Sequence, residues 1–305
     1  MATTADPRSS STGSDGCPQR FIYSDKDLES FINSPVKAEL LRFTSAMGKA
    51  CADPSAPPYN PKEPLRGLTP ALASLHGSLT VMAKDWMEEI KPLATSNAVI
   101  RFGNPAFQTW HQRLTKRSEP IVRSILHWKD QHDSGTSSGE YDDAVLEAAH
   151  EAGKQAAGDS PPEASCSDVG DVIELQAYLE DSFGHPVRLD YGTGHESSFQ
   201  VFLFCLCCRL HCCGSTSTVP PSTASLQAMT LSLYHAYLRV TRKLQTVYRL
   251  EPGACFGIFS LERTMHILTP SLVALCCSWV ARGMGFGRLL LLVLLLWRLP
   301  TPNPL

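Results

Sequence analysis

The sequence has little charge and no basic stripe. Charged residues make up 19% of its 305 residues, below the roughly 25% of average globular domains, and the net charge is −3. Nucleic acid is therefore excluded as an expected partner. The first twenty residues, "MATTADPRSSSTGSDGCPQR", lack an apolar segment. We expect residues 1–20 to be a disordered tail rather than a signal peptide.

The eleven cysteines do not have the pattern of a disulfide framework. Their number is odd and most are clustered. Without a secretory signal, free thiols in a reducing compartment are expected, which predicts a cytoplasmic location with the nucleus as the alternative. The cluster "CLCCRLHCC" at 205–213 includes His211. Structural zinc sites pair two separated knuckles, so this single cluster favours packing over metal binding.

No stretch alternates strongly enough to predict a strand. Apolar residues recur instead at helical spacing, which predicts an all-α fold. Two such faces are Leu79, Met82, Ala83, Trp86 and Ile90, and Phe199, Phe202, Leu203, Leu206 and Leu210. Residues 129–170 are rich in Ser, Gly, Pro and Asp around a short Ala/Glu-rich helix. We expect this segment to be a surface insertion of low order with almost nothing to bury. A helix over 171–183 should end at Gly184.

The segment "DYGTGHE" at 190–196 concentrates glycine and polar groups before an apolar helix. It lacks the Lys-Ser/Thr of a P-loop and the G-x-G-x-x-G of a dinucleotide fold. Gly192 and Gly194 would still let successive amides point at an anion, with Thr193 and Arg188 beside them. An ordinary glycine turn, with Glu196 as a stabilising acid in the first helical turn, explains the spacing equally well. His195 and Glu196 point about 100° apart on a helix, which disfavours an acid and base pair.

A second candidate segment, "RFGNPAFQTW" at 101–110, begins with a turn. Asn104 is expected to cap a helix that has Pro105 at its first position. Trp110 is most simply a packing residue. Arg101, which precedes an aromatic residue at a turn, is a candidate to line a groove together with Phe102.

These segments resemble a known family. "RFGNPAFQTW", "VRLDYGTGHESSF", "FLFCLCCRL" and "YLRVTRKLQTVYRLEP" are similar, in order and approximate spacing, to motifs of the phosphotyrosyl phosphatase activator family, the activators of protein phosphatase 2A. The resemblance runs from about Phe21 to Pro252. We therefore expect an activator-type helical domain over 21–253.

The resemblance implies a helical core with linker and lid parts that form a groove. It implies ATP and magnesium as cofactors, with Arg188, Thr193 and Gly194 as ATP contacts. The groove would be formed by 101–110 and 188–196, with Asp190, Tyr191 and His195 in the pocket wall beside Gly192 and Glu196. The implied partners are the catalytic subunit and scaffold of protein phosphatase 2A and a proline-containing peptide segment. The implied activity is peptidyl-prolyl cis-trans isomerisation, with no catalytic residue assigned.

We expect the resemblance to this family to end after "YRLEP". Family members continue there with an Asp-containing segment on the magnesium side of the site, whereas this chain has no Asp after position 190. No residue can therefore be assigned as a magnesium ligand. The alternative function is a non-enzymatic module that binds the phosphatase without isomerase activity.

Residues 254–305 are expected to be an aberrant apolar tail, of the kind that a retained intron or a frameshift produces. Its apolar run "LLLLVLLLW" at 289–297 would span only about 13 Å as a helix, against about 30 Å for a bilayer core. A membrane anchor is therefore disfavoured. We expect such a tail to pack poorly and to favour aggregation.

Overall fold

The computed structural model describes residues 24–54, 58–94, 103–130, 141–159, 169–211 and 221–252. Most residues in these ranges are helical and very few are in strands, so the predicted all-α class is confirmed. The helices are α1 Asp25–Ile32, α2 Pro35–Ala52, α3 Pro70–Ala83, α4 Asp85–Glu89, α5 Ala106–Asp130, α6 Asp143–Ala157, α7 Val169–Asp181, α8 Thr193–His211, α9 Thr223–Ala228 and α10 Tyr234–Val247. A π-helical segment, Met229–Leu233, joins α9 to α10.

Helix α3 lies at the centre of the fold. Thr69 caps it by accepting a hydrogen bond from the amide of Leu72, and Pro70 occupies the first turn, where no amide hydrogen is needed. Most of its side chains are buried, because α5, α6 and α10 pack around it. The apolar face predicted over 79–90 is buried throughout. The helix is interrupted at Lys84, after which α4 carries Trp86.

Helix α6 lies within the segment 129–170. The prediction of a low-order segment with almost nothing to bury is wrong for 143–157, because Leu146, Ala149 and Ala156 are each at most 3% exposed. The indole of Trp86 also donates a hydrogen bond of 3.1 Å to the carbonyl of Ala157. Small residues allow this burial, since they let the backbones of α3 and α6 approach closely.

Two short strands differ from the expectation of helices alone. β1 is Asp190–Tyr191 and β2 is Glu251–Pro252, and they pair in parallel with Asp190 opposite Glu251. Strands of two residues carry no alternating pattern that a sequence could reveal. They matter because they fix the chain just before α8 against the chain just after α10.

Aromatic side chains fill the interior between α4, α5, α8 and α10. Trp110 is fully buried, as expected of a packing residue, with ring centroids 5.4 Å from Trp86 and 5.6 Å from Phe183. Phe199 of α8 stacks on Tyr237 of α10 at 3.8 Å with nearly parallel rings. This cluster is the rigid base on which the "DYGTGHE" segment rests.

The cysteine cluster packs in the part that the structure describes. Cys207 is 5% exposed, and its thiol lies 3.8 Å from the sulfur of Met229. Burial raises the pKa of Cys205 to about 11 and that of Cys207 to about 12, so both remain protonated at neutral pH. The packing interpretation is confirmed for Cys207, whereas Cys212 and Cys213 lie outside the described residues.

Within the described ranges, no helix has both the length and the apolar character needed to cross a bilayer. The tail 254–305 lies outside those ranges, as do residues 1–20.

Candidate functional site

Residues 188–196 include strand β1, the tight turns on either side of it and the first turn of α8. Leu189 has a φ of 55°, a left-handed conformation that is uncommon for a residue with a side chain. Strand β2 holds this turn in place, because the amide of Glu251 donates a 2.9 Å hydrogen bond to the carbonyl of Leu189. Gly184, which follows α7 as predicted, has a φ of 108°, and the amide of His185 donates to the carbonyl of Asp190. The turn therefore has a fixed backbone.

Arg188 and Asp190 form an ion pair across this turn. The guanidinium Nε donates to Asp190 Oδ2 over 2.7 Å, and this hydrogen bond raises the pKa of Arg188. The Arg188 side chain is 58% exposed, so its other nitrogens face solvent. The arginine predicted to contact ATP is thus accessible, but one of its donors is already used by a carboxylate.

His195 is buried and oriented by the backbone. Its Nδ1 lies 2.6 Å from the carbonyl oxygen of Asp181, which can only accept, so Nδ1 carries the proton. Its Nε2 points toward Asp190 Oδ1 at 3.9 Å. That Oδ1 atom is shielded from solvent and has no hydrogen-bond partner among the described residues. His195 is only 8% exposed, so its imidazole does not lie at an open surface.

Tyr191 points inward. Its side chain is 2% exposed, and its hydroxyl lies 2.9 Å from that of Tyr237. Burial raises the pKa of both phenols well above the usual value, so both are neutral. Tyr191 therefore anchors the motif to the core and does not line an open groove.

Thr193 and Gly194 are the exposed members of the motif and form the first turn of α8. A methyl group built on Gly194 would meet nothing within 4 Å, so open space lies above this residue. Gly192 accepts a 3.0 Å hydrogen bond from the amide of His195 through its carbonyl. The first amides of a helix have no intrahelical acceptor and carry partial positive charge. Glu196, partly exposed in the same turn, adds negative charge near this end.

The second predicted segment lies against the first. A methyl group on Gly103 would come within 3.1 Å of Leu189 and 3.2 Å of the carbonyl of Arg249. Asn104 is 4% exposed and caps α5, since its Oδ1 accepts from the amide of Ala106 over 3.0 Å. The predicted cap is confirmed, but the Asn104 side chain also bonds both the amide and the carbonyl of Leu93. Arg101 and Phe102 lie outside the described residues.

A separate cleft was not predicted. It has a volume of about 740 Å³ and lies between the 58–68 loop, the start of α6 and α9, with Tyr59, Arg66, Tyr141 and Glu147 in its lining. None of its lining residues belongs to 101–110 or 188–196. Sequence reasoning missed it because its walls come from three segments that are distant along the chain.

Comparisons with known proteins agree with the motifs. A family model described as phosphotyrosyl phosphate activator (PTPA) protein matches residues 18–269. The chain therefore belongs to the PTPA family. The match continues to residue 269, beyond residue 253, where we expected the likeness to end.

The sequence similarity to individual relatives covers between about half and four fifths of this chain. A probable serine/threonine-protein phosphatase 2A activator 1 from Dictyostelium discoideum is 26% identical over 80% of this chain and 58% of that protein. Serine/threonine-protein phosphatase 2A activator 1 from Neurospora crassa is 34% identical over 53% of this chain and 26% of that protein. The crystal structure of the PP2A phosphatase activator Ypa1 matches 78% of this chain and 59% of its own length, with 23% identity and a TM-score of 0.48. The chain thus spans less than two thirds of these relatives.

Proposed function

We propose that this chain binds the catalytic subunit and scaffold of serine/threonine-protein phosphatase 2A and activates the phosphatase. The observation that carries the proposal is the family match over 18–269, together with relatives that are named as activators of this phosphatase. The described fold supports it, because the family motif at 188–196 is built on a rigid base and ends at an exposed helix start.

We further propose that the phosphate groups of ATP bind at the start of α8. Arg188, Thr193 and Gly194 would hold them through a guanidinium, a hydroxyl and backbone amides. The open space above Gly194 and the exposed side chain of Arg188 support this fit. The carboxylates of Asp190 and Glu196 oppose it, since they place negative charge beside an anion. When bound, ATP would supply a concentrated negative charge at this helix end, accompanied by magnesium, for which no ligand residue is assigned.

The proposed reaction is cis-trans isomerisation of a proline-containing segment. Rotation about the peptide bond crosses a barrier of about 18–20 kcal/mol and needs no covalent intermediate. A groove that excludes water and donates a hydrogen bond to the proline nitrogen lowers this barrier by weakening amide resonance. The close approach of Gly103 to Leu189 supports this proposal, because it brings the two segments predicted to form the groove side by side.

A specific observation favours the non-enzymatic alternative. Asn104, Tyr191 and His195 are all buried, and their polar atoms bond to the protein itself. In this interpretation the motif holds the fold together and the chain binds the phosphatase without catalysing isomerisation.

One set of assays on the full chain separates these functions. Capture of the purified phosphatase catalytic subunit and scaffold tests the binding proposal, and failure to capture them overturns it. Isomerisation of a proline peptide, measured in parallel, selects between the enzyme and the binding module.

ATP binding is tested with Arg188→Gln and Gly194→Ala. We expect both to weaken ATP binding at least tenfold while leaving the fold intact, because Arg188 is exposed and a methyl group on Gly194 enters open space. The matched control is Arg42→Gln, which also removes an exposed arginine from an ion pair, that with Glu39. Equal ATP affinity in all three variants would place the nucleotide elsewhere.

A further inference from the structure

Three potential metal ligands project from one face of α6. Glu147, His150 and Glu151 occupy positions i, i+3 and i+4, which lie together on a helix surface. One side-chain ligand atom from each lies within 4.8 Å of those of the other two. The first two residues form a Glu-x-x-His sequence, the arrangement that helical carboxylate proteins use to bind metals.

A fourth potential ligand comes from α3. The rings of His76 and His150 have centroids 5.2 Å apart. Two close helix approaches fix this pairing. A methyl group on Gly77 would lie 2.0 Å from the carbonyl oxygen of His150, and one on Gly153 would lie 1.8 Å from that of Ser74. The helices therefore touch at these two glycines, which holds His76 beside His150.

Three of the four imidazole nitrogens in this cluster are buried without a hydrogen-bond partner among the described residues. Both ring nitrogens of His150 and Nδ1 of His76 are shielded from solvent and have no hydrogen-bond partner among the residues that the structure describes. Buried polar atoms nearly always have a partner, so three unpartnered nitrogens in adjacent rings need an explanation.

We propose that Glu147, His150 and Glu151 bind a divalent transition metal such as zinc, with His76 as the fourth ligand from α3. Nitrogen ligands favour zinc and its neighbours over magnesium or calcium, which prefer oxygen. In a tetrahedral zinc site the ligand atoms are about 3.4 Å apart, since each bond is about 2.0–2.2 Å. The exposed glutamates, whose ligand atoms lie within 4.8 Å of that of His150, must therefore move closer when the ion enters. His76 lies outside this 4.8 Å group and must also approach the ion.

Nearby positive charge limits the affinity of this site. Lys154 Nζ lies 2.6 Å from Glu151 Oε1, so the lysine competes with an ion for this carboxylate. Arg239 and His235 also act on His76 electrostatically. The proposal therefore predicts that removal of the Lys154 charge strengthens metal binding, which a purely structural role for the cluster does not predict. The proposal does not depend on the phosphatase function.

The test uses the full chain, titrated with Co²⁺ as a spectroscopic substitute for zinc under reducing conditions. We expect one equivalent to give the visible absorption of a cobalt site with nitrogen and oxygen ligands. Glu147→Gln, His150→Gln and His76→Gln should each weaken binding at least tenfold, and Lys154→Met should strengthen it severalfold. Glu147 is exposed, so its variant tests the site even if a histidine variant fails to fold. Glu39→Gln is the control for Glu147→Gln, because Glu39 is likewise an exposed glutamate on a helix.

Two results would overturn the proposal. One is an unchanged affinity in Glu147→Gln and His150→Gln. The other is an intense thiolate-to-cobalt charge-transfer band that persists in these variants, which would assign the ion to the cysteines.

Discussion

The hydroxyls of Tyr191 and Tyr237 lie 2.9 Å apart in the interior, at the end of a directed chain of hydrogen bonds. Tyr237 donates its only hydroxyl hydrogen to the carbonyl of Ser182 over 2.7 Å. Tyr191 must therefore be the donor between the two tyrosines. Through this chain the "DYGTGHE" segment is tied to the end of α7 and to the middle of α10.

Tyr237→Phe should destabilise the protein by about 1–3 kcal/mol. The change leaves the Tyr191 hydroxyl without its acceptor and the Ser182 carbonyl without its donor, both in buried surroundings. Urea unfolding at pH 7 measures the loss. Tyr234→Phe is the control, since Tyr234 packs on the same Phe199 ring, and it should change stability by less than about 0.5 kcal/mol. Equal losses in the two variants would contradict the directed chain.

The sequence predicted the helices better than it predicted the role of the motif. Helix positions could be read from apolar spacing because burial of one face is a local pattern. The role of Tyr191 could not, because its partners Ser182 and Tyr237 lie on other helices, and only the fold brings the three hydroxyl and carbonyl groups together.

Helix α6 shows a second limit of prediction from the sequence. Its inner face has Ala149, Gly153 and Ala156, which are too small to give a strong apolar signal. Their small size is what allows the close contact with α3, so the sequence predicted a short helix here but not its burial. The helix cap formed by Asn104 could be predicted, because Asn before a proline at a helix start is a local sequence pattern. Its hydrogen bond to Leu93 could not be predicted, because it depends on tertiary contact.

Gly153→Ala should destabilise the protein by about 1–3 kcal/mol or more. The new methyl group would lie 1.8 Å from the carbonyl oxygen of Ser74, a backbone atom that can move only if the helices separate. The expected result is a lower melting temperature. Gly194→Ala is the matched control: its methyl group enters open space, and alanine favours a helix over glycine by up to about 1 kcal/mol. A variant at Gly153 that melts like the wild type would show that α3 and α6 are not in contact there.

Asn104→Ala should cost about 2 kcal/mol or more of folding free energy. It removes the cap of α5 and leaves the amide and the carbonyl of Leu93 without their partners. Asn104→Asp keeps the acceptor for the amides of Leu93 and Ala106 but places a carboxylate against the Leu93 carbonyl. We expect Asn104→Asp to lose stability mainly above the carboxyl pKa, so that urea unfolding at two pH values distinguishes the variants. An Asp variant that is insensitive to pH would argue against the bond to the Leu93 carbonyl.

Stability should fall in acid partly because His76 is buried as a neutral ring. Desolvation is the largest cause of its lowered pKa, and His150, Arg239, Lys154 and His235 add positive charge that acts in the same direction. The pKa is 6.5 for the unfolded reference and about 4 in the folded chain, so between these values the unfolded state binds a proton that the folded state does not. Stability from this group is therefore complete above pH 6.5 and decreases as the pH falls toward 4, by up to about 3 kcal/mol.

The measurement compares urea unfolding of the wild type and His76→Gln between pH 4.5 and pH 8, with EDTA present to exclude metal ions. Glutamine does not titrate, so the wild type should lose more stability than the variant as the pH falls, and the two curves should run parallel above about pH 7. Carboxylates contribute equally to both proteins and cancel in the difference. Parallel curves over the whole range would show that His76 takes up its proton as readily in the folded chain as in the unfolded one, which burial between α3 and α6 does not allow.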